Sequence, residues 1–200
     1  MVVNVSTPLP VRCYLFDTAL GVFGIAWSER GLCRLQRPEA DREAIRQRLG
    51  TAIAEEPPAW VEQTIGKIRR YLTGERVDFA ALALDLTEVG DFRHAVYGAA
   101  RAVGWGRTAS YSELARRIGF PWGARAVGQA LARNPTPIIV PCHRILTHDR
   151  RIGGFSAYGG TLTKQRLLAL ERVELGAPTL PGLAGPPPSQ SDLARRDRAP

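Results

Sequence analysis

One short segment of this 200-residue sequence combines residue types that can carry out nucleophilic chemistry. Cys142 and His143 are adjacent in the run Pro141-Cys142-His143-Arg144. An imidazole close to a thiol can hold the sulfur as a thiolate, and the thiolate is the nucleophile of cysteine chemistry. Adjacency alone is weak support, because consecutive side chains of a strand point to opposite faces. The flanking prolines favour one fixed backbone shape, so the local fold decides whether this cysteine is reactive.

The elements that must position this segment are mainly helical. Apolar spacing predicts a helix from Phe92 to Val103, and Ser110 with Glu113 then matches a capping box that begins a helix ending at Gly119. A further helix, Ala124–Ala132, is built of small residues. Two helices joined by a short turn are typical of a helix-turn-helix, although a helix hairpin inside a core is about equally common on this pattern. Residues 138–140 predict a short buried strand before the cysteine.

The first half of the chain predicts a small α/β unit without a chemical motif. Cys13 and Cys33 lack neighbouring zinc ligands, so buried strand cysteines are the better interpretation. The predicted elements are strands at Arg12–Phe16, Gly21–Trp27 and Gly31–Leu35, helices at Pro38–Leu49 and Trp60–Leu72, and an extended run at Val77–Leu86. The predicted fold is therefore an α/β N-terminal domain (1–85) and a mainly α-helical C-terminal domain with a helix-turn-helix (86–175). A Pro-rich tail (176–200) is expected to be disordered.

The charge of the sequence is unevenly distributed between these parts. Residues 86–175 hold 13 basic and 6 acidic side chains, whereas residues 1–85 hold 11 of each, and the whole chain has a formal charge of +8. This asymmetry predicts an anionic partner for the second half. No apolar run is long enough to cross a membrane, and the first residues do not read as a signal peptide. Three cysteines fit a reducing compartment, so a cytoplasmic location is expected.

Several motifs together resemble the O6-alkylguanine-DNA alkyltransferases, also called methylated-DNA–protein-cysteine methyltransferases. The motifs are NPTPIIVPCHRI at 134–145, RAVG at 125–128, TASY at 108–111 before Leu114-Ala115, GGFS at 153–156, and Lys164 with residues 167–171. The resemblance is strong over residues 87–171 and looser over residues 12–86. It implies DNA repair in double-stranded DNA by stoichiometric transfer of the alkyl group from O6-alkylguanine to the protein, with O4-alkylthymine as a further candidate substrate. It also implies a monomer with no metal and no soluble cofactor.

The resemblance implies a role for five residues in the reaction. Cys142 would accept the alkyl group, and His143 would take the thiol proton through a water molecule. Glu171 would orient the imidazole by accepting its other N–H, as the acid does in a Ser-His-Asp site. Asn134 would brace the turn before the cysteine. Tyr111 would donate a hydrogen bond to the guanine ring as negative charge develops there.

The resemblance also implies how the damaged base is reached. A base inside a duplex must be flipped out, and Arg125 would fill the gap it leaves in the stack. The carbonyls of Cys142 and Ile145 would accept from the guanine amine, and Ser156 would lie near O6. The small side chains of the second helix would let it enter the minor groove, where the sequence code is degenerate; they are Ala126, Gly128 and Ala130.

Two other functions remain open on the sequence. One is a DNA-damage sensor or helix-turn-helix regulator without chemistry, which would not need Cys142, His143 and Glu171 together. The other is a cysteine hydrolase, which would need an oxyanion hole and would turn over. Taken singly, each residue has an ordinary explanation: Tyr111 could pack at a helix start and Glu171 could be an exposed helix charge. Their joint occurrence in one order favours the transferase.

Overall fold

A computed structural model of the chain describes residues 11–38, 41–50, 52–53, 56–152 and 160–174. They form an α/β first half and a mainly helical second half. The strands are β1 (Arg12–Thr18), β2 (Gly21–Ser28), β3 (Gly31–Gln36), β4 (Ala52–Ile53), β5 (Ala109–Ser110) and β6 (Ile145–Leu146). The helices are α1 (Arg42–Leu49), α2 (Ala59–Leu72), α3 (Asp91–Arg101), α4 (Tyr111–Arg117), α5 (Ala124–Ala132) and α6 (Gly160–Leu170). The predicted tail (176–200) and Ser156 lie outside the described residues.

A four-stranded sheet in the order β3-β2-β1-β4 forms the frame of the first half. Strands β1 and β2 form an antiparallel hairpin, whose turn is fixed by the Thr18 hydroxyl donating to the Gly21 carbonyl at 2.7 Å. Helix α1 packs on one face, where β2 carries Gly24. An added Cβ there would lie 2.6 Å from Leu49 and 2.8 Å from Ile45, so only glycine admits this close approach. The opposite face packs against α2 in the larger apolar cluster.

The second half encloses its own apolar cluster between α3, α4 and α5. The capping box predicted for α4 is present: Ser110 Oγ accepts from the Glu113 N–H at 3.1 Å, and the Glu113 carboxylate accepts from the Ser110 N–H at 2.5 Å. A short turn at residues 118–123 separates α4 from α5. No helix among the residues described here is long and apolar enough to cross a membrane.

Three predicted elements differ from the structure. Helix α1 begins at Arg42 rather than Pro38, because the Asp41 carboxylate caps it by accepting from the Ala44 N–H at 2.7 Å. The predicted extended run 77–86 is interrupted by a turn, in which the Leu82 N–H donates to the Phe79 carbonyl at 3.1 Å, and it has one bridge to β3, at Leu84. The Arg101 guanidinium binds three carbonyls of this run. Residues 138–140 are buried as predicted but form a turn, since the Val140 N–H bonds back to the carbonyl of residue 136.

The two halves share one core. The larger cluster contains sheet and α2 residues together with Ile138, Ile139 and Leu167 from the second half. A backbone hydrogen bond of 2.9 Å from the Leu35 N–H to the Pro135 carbonyl joins β3 to the segment before the cysteine. The first half therefore supports the reactive segment directly.

Candidate active site

Cys142 and His143 lie in a single turn of 3-10 helix, Cys142–Arg144, which follows Pro141. Such a helix has three residues per turn, so successive side chains point about 120° apart rather than to opposite faces. Cys142 is 7% exposed and His143 is fully buried. The Cys142 carbonyl accepts from the Ile145 N–H and so closes the turn. The turn therefore buries two adjacent side chains about 120° apart, closer in direction than the opposite faces of an extended strand.

The segment leading to the cysteine is held by Asn134. Its amide nitrogen donates to the Val140 carbonyl at 2.8 Å, and its amide oxygen accepts from the Thr136 N–H at 3.0 Å. Ile138 has a φ of 77°, a left-handed conformation that costs a β-branched residue about 1–3 kcal/mol. Burial of the Ile138 side chain in the shared core holds it there. The backbone that leads into Cys142 is thus held by the Asn134 hydrogen bonds and by the burial of Ile138.

Glu171 is the centre of a buried hydrogen-bond network. It lies just beyond the end of α6 and is 1% exposed. His143 Nε2 is 2.8 Å from Glu171 Oε1, and Arg144 donates to both carboxylate oxygens at 2.9–3.1 Å. The Tyr71 hydroxyl donates to Oε1 at 2.6 Å, and the Gly106 N–H donates to Oε2 at 3.2 Å. The carboxylate is therefore solvated by protein donors instead of water.

This network fixes the protonation of His143. Burial alone raises the pKa of Glu171, but hydrogen bonds from His143 and Arg144 outweigh it and lower the pKa to about 2. An ionised carboxylate only accepts hydrogen bonds, so His143 carries its proton on Nε2. Burial, together with the charge of Arg144, lowers the pKa of His143 against the pull of Glu171. The result is a neutral imidazole whose other nitrogen, Nδ1, has a lone pair and no hydrogen-bond partner among the described residues.

The thiol of Cys142 is protonated in its resting environment. Burial raises its pKa, while a hydrogen bond from Asn134 and the charges of Arg37 and Lys164 act in the opposite direction. A buried thiol with a raised pKa is a poor nucleophile until a base removes its proton. The neighbouring neutral imidazole is the group that can serve as that base.

Tyr111 and Lys164 lie on another side of the cysteine. The Lys164 ammonium is buried, donates to the Ile145 carbonyl at 2.5 Å and lies 5.7 Å from the centre of the Tyr111 ring. Burial lowers the pKa of Lys164 to about 8 and raises the pKa of the half-buried Tyr111 phenol. The Ile145 carbonyl accepts this one hydrogen bond from Lys164 and has a second lone pair that could accept another. Ser156, which is predicted near the substrate, lies outside the described residues.

Helix α5 presents some of its predicted groove residues outward and buries others. Arg125 and Ala126 are exposed, and Gly128 packs 3.8 Å from the Tyr111 ring, measured from an added Cβ. Ala130 is only 4% exposed and belongs to the core cluster, and its carbonyl accepts from the Tyr97 hydroxyl at 3.0 Å. The prediction that Ala130 contacts DNA is therefore corrected. Its small size serves helix packing instead.

Both halves of the chain match family models. Residues 11–86 match "6-O-methylguanine DNA methyltransferase, ribonuclease-like domain", and residues 91–173 match "6-O-methylguanine DNA methyltransferase, DNA binding domain". The chain belongs to the 6-O-methylguanine DNA methyltransferase family. The resemblance inferred from the sequence motifs is confirmed, and with it the enzyme class, methylated-DNA–protein-cysteine methyltransferase.

Individual members of this methyltransferase family are similar over most of their length. The methylated-DNA–protein-cysteine methyltransferase of Mycolicibacterium paratuberculosis is 35% identical over 156 residues, covering 78% of this chain and 89% of that protein. The enzyme of Mycobacterium leprae is 34% identical, covering 81% and 93%. The crystal structure of Mycobacterium tuberculosis O6-methylguanine methyltransferase superposes with a TM-score of 0.68 at 33% identity, covering 84% and 96%. A complex of the M. tuberculosis protein with DNA has a TM-score of 0.66 at 32% identity, covering 80% and 93%.

The sequence alone predicts no role for three residues of the site. Arg144 stands in the PCHR motif, and its pairing with Glu171 could have been suspected from the opposite charges. Lys164 stands in a motif of the methyltransferase family, but nothing local indicates that its ammonium is buried. Tyr71 lies 100 residues before Glu171 and shows no pattern beyond the apolar face of α2. Only the tertiary fold brings it to the site.

The remaining cysteines are separate from this site. Cys13, Cys33 and Cys142 form no disulfide bond with one another. Cys13 is buried on β1, as predicted, and Cys33 is half-buried on β3. Within the described ranges no group of three His, Cys, Asp or Glu residues lies close enough to hold a metal ion. That the reaction needs no metal remains a prediction.

Proposed function

We propose that this chain repairs DNA by moving an alkyl group from O6 of guanine to Sγ of Cys142. The observation that carries the proposal is the buried arrangement of Cys142, His143 and Glu171, in which an ionised carboxylate leaves the imidazole neutral with one free nitrogen. Membership of the methyltransferase family supports the same chemistry. The alkyl carbon forms a bond to sulfur as its bond to O6 breaks.

The proposed transfer moves one proton and one electron pair. His143 accepts the thiol proton at Nδ1 through a water molecule, and Glu171 accepts from its Nε2–H. Arg144 holds the Glu171 carboxylate by donating to both of its oxygens. The electron pair of the broken C–O bond passes to the guanine ring. Tyr111, whose raised pKa keeps the phenol protonated at neutral pH, donates a hydrogen bond to that ring as it becomes negative. Asn134 keeps the cysteine backbone in place, and guanine regains a proton after transfer.

The product limits each protein molecule to one reaction. A thioether carbon has no good leaving group at neutral pH, so the alkylated Cys142 is not regenerated. The protein is consumed in the repair and acts as a monomer with no cofactor to recycle. O4-alkylthymine carries an equivalent alkyl–oxygen bond and is a second substrate.

The burial of Cys142 requires the base to leave the duplex. A 7% exposed thiol cannot reach O6 of a stacked base, so the nucleotide is flipped at a cost of a few kcal/mol. Helix α5 enters the minor groove with the exposed Ala126 toward the DNA and Arg125 in the gap left by the base. The carbonyls of Cys142 and Ile145 accept from the guanine amine. Helices α4 and α5 then act as the helix-turn-helix.

One experiment tests the reaction itself. Duplex DNA with O6-methylguanine labelled in the methyl group is incubated with the wild-type protein and with Cys142→Ala, and the protein is digested. Label on the peptide containing Cys142, at no more than one methyl per protein, is the expected result, with none on the variant. Duplex binding without label would instead support a damage sensor. Label released over several turnovers would overturn the single-use mechanism.

A further inference from the structure

The turn between α4 and α5 exposes a tryptophan almost completely. The Trp122 side chain is 98% exposed, the most of the large apolar side chains in the described part of the chain. Tryptophan is usually well buried, and it is enriched where proteins bind partners because it supplies a large, rigid contact area. An indole held in water on a folded domain therefore points to a partner.

The turn that carries Trp122 is held by a backbone hydrogen bond and an aromatic contact. The Gly123 N–H donates to the Phe120 carbonyl at 2.8 Å, with Pro121 at the second position, where its fixed φ suits a turn. The Phe120 ring packs edge-on against Phe92 with ring centres 5.4 Å apart. Trp122 is thus presented at the tip of a braced turn rather than on a loose loop.

The surroundings of Trp122 define the partner. Arg125 lies three residues further on at the exposed start of α5, and Arg116 and Arg117 are exposed on α4. Three exposed arginines within six residues of an exposed indole fit a partner that is anionic yet offers apolar surface. DNA has both, because the deoxyribose rings that wall the minor groove are apolar between the phosphates.

We propose that Trp122 packs its indole against the deoxyribose wall of the minor groove beside the flipped nucleotide. This inference rests on the proposed function, because it takes α5 to be the helix that enters the minor groove. Arg125 then fills the base stack while Trp122, three residues earlier, contacts the adjacent backbone. The contact adds affinity without sequence preference, since every nucleotide carries the same sugar.

Duplex affinity of tryptophan variants tests this contact. Binding of a fluorescent duplex to wild-type protein, Trp122→Ala, Trp122→Phe and Trp60→Ala is measured over a salt series. Trp60 is the matched control, a 37% exposed indole on α2 in the first half. We expect Trp122→Ala to weaken binding about tenfold at every salt concentration, Trp122→Phe to recover most of it, and Trp60→Ala to bind normally. The slope of log affinity against log salt should not change, because an indole neutralises no phosphate.

Other outcomes would overturn the contact. Unchanged affinity of Trp122→Ala would remove it, and a reduced salt slope would mean that the variant had lost phosphate contacts instead. Alkyl transfer from free O6-benzylguanine should equal that of wild-type protein, which shows that the site is intact. If wild-type protein transferred no alkyl group while Trp122→Ala still lost DNA affinity, the proposed reaction would fail and the contact would stand.

A separate observation assigns a role to Tyr71. Its buried hydroxyl contacts both the proposed base and the carboxylate that holds it: it lies 3.1 Å from His143 Nε2 and 2.6 Å from Glu171 Oε1. The ring is itself packed edge-on against Trp105, with centres 5.3 Å apart. We infer that Tyr71 is a positioning residue: its hydroxyl donates to the Glu171 carboxylate and confines the imidazole, so that Nε2 stays toward Glu171 and Nδ1 stays available as the base. It makes the first half part of the activation of the cysteine.

The pH dependence of alkyl transfer tests this role. Without the Tyr71 hydroxyl the carboxylate attracts the imidazolium more strongly, so the pKa of His143 should rise and less neutral base should be present at neutral pH. We expect Tyr71→Phe to shift the acid side of the rate profile for free O6-benzylguanine to higher pH. Tyr97→Phe is the control, since Tyr97 is buried but its hydroxyl binds the Ala130 carbonyl. A Tyr71→Phe profile that superposes on that of wild-type protein would leave Tyr71 a packing residue only.

Discussion

The replacement Glu171→Gln separates the two tasks of the buried carboxylate. Glutamine keeps the shape of the side chain but removes the negative charge. In the wild-type protein that charge is paired with the Arg144 guanidinium, whose nitrogen lies 2.9 Å from Oε1. The pKa of Glu171 falls from its ordinary 4.5 to about 2, and this difference corresponds to about 3 kcal/mol of stability at neutral pH. A carboxylate whose pKa is lower in the folded protein stabilises it fully above pH 4.5, and the gain is lost as pH falls through about 2.

The assay is denaturant unfolding of both proteins at several pH values. At pH 7 the free energy of unfolding of Glu171→Gln should be lower than that of wild-type protein by about 3 kcal/mol, or more if the unpaired Arg144 stays buried. The difference should shrink to about 1.5 kcal/mol at pH 3, where wild-type Glu171 has lost part of its advantage. A difference that is constant from pH 7 to pH 3 would refute the account of the carboxylate as an ionised acceptor.

Alkyl transfer by the same variant tests the chemical task. The introduced glutamine would offer an amide in place of the carboxylate that holds Nε2–H, so the basic nitrogen of His143 would no longer be fixed. General-base catalysis contributes on the order of 10²–10⁴-fold, and we expect a loss in that range for free O6-benzylguanine at pH 7. A variant that is destabilised yet transfers at the wild-type rate would show that Glu171 is structural only.

Three further predictions use simple measurements. Arg125→Ala should slow repair in duplex DNA more than transfer from free O6-benzylguanine, and equal losses would contradict its role in flipping. Ser110→Ala should lower the free energy of unfolding by about 1 kcal/mol in denaturant, because the capping box of α4 loses its serine acceptor. The pKa of the buried Lys164 is about 8, against an ordinary 10.5 in the unfolded chain, so between these pH values the folded protein binds fewer protons than the unfolded chain. The contribution of Lys164 to the free energy of unfolding should therefore rise from pH 8 to 10.5. Wild-type protein should therefore gain up to about 3 kcal/mol over Lys164→Met in that interval, and parallel unfolding curves would contradict this.

The sequence predicted the parts of the fold that depend on local rules. The β1–β2 hairpin, the α2 helix and the capping box of α4 follow from alternation, helical spacing and side-chain caps within a few residues of each other. The predicted extended run 77–86 is interrupted by a turn, and the carbonyls of this turn bind Arg101, a partner about 20 residues away that no local pattern indicates. The turn at residues 138–140 looks like a strand because its residues are buried and β-branched, and burial alone does not fix the backbone.

The residues of the candidate site also differ in how far the sequence alone could identify them. Cys142, His143 and Asn134 lie within ten residues, and the motif that contains them could be recognised. Glu171 could be identified only by resemblance, because nothing local distinguishes a buried carboxylate from a solvated one. Tyr71 could not be found at all, since its contact with Glu171 spans 100 residues of chain.

Because the two halves share one core, neither half should fold independently when the chain is divided into two polypeptides. The sequence divides near residue 86, but the larger apolar cluster takes Ile138, Ile139 and Leu167 from beyond that point. A chain cut there would leave each fragment with an apolar surface shaped by the other. The fragments, produced separately, should be aggregation-prone alone and should reassemble into a noncovalent complex when mixed. Full alkyl transfer should return only with that complex, because Tyr71 and Glu171 would then arrive on different polypeptides.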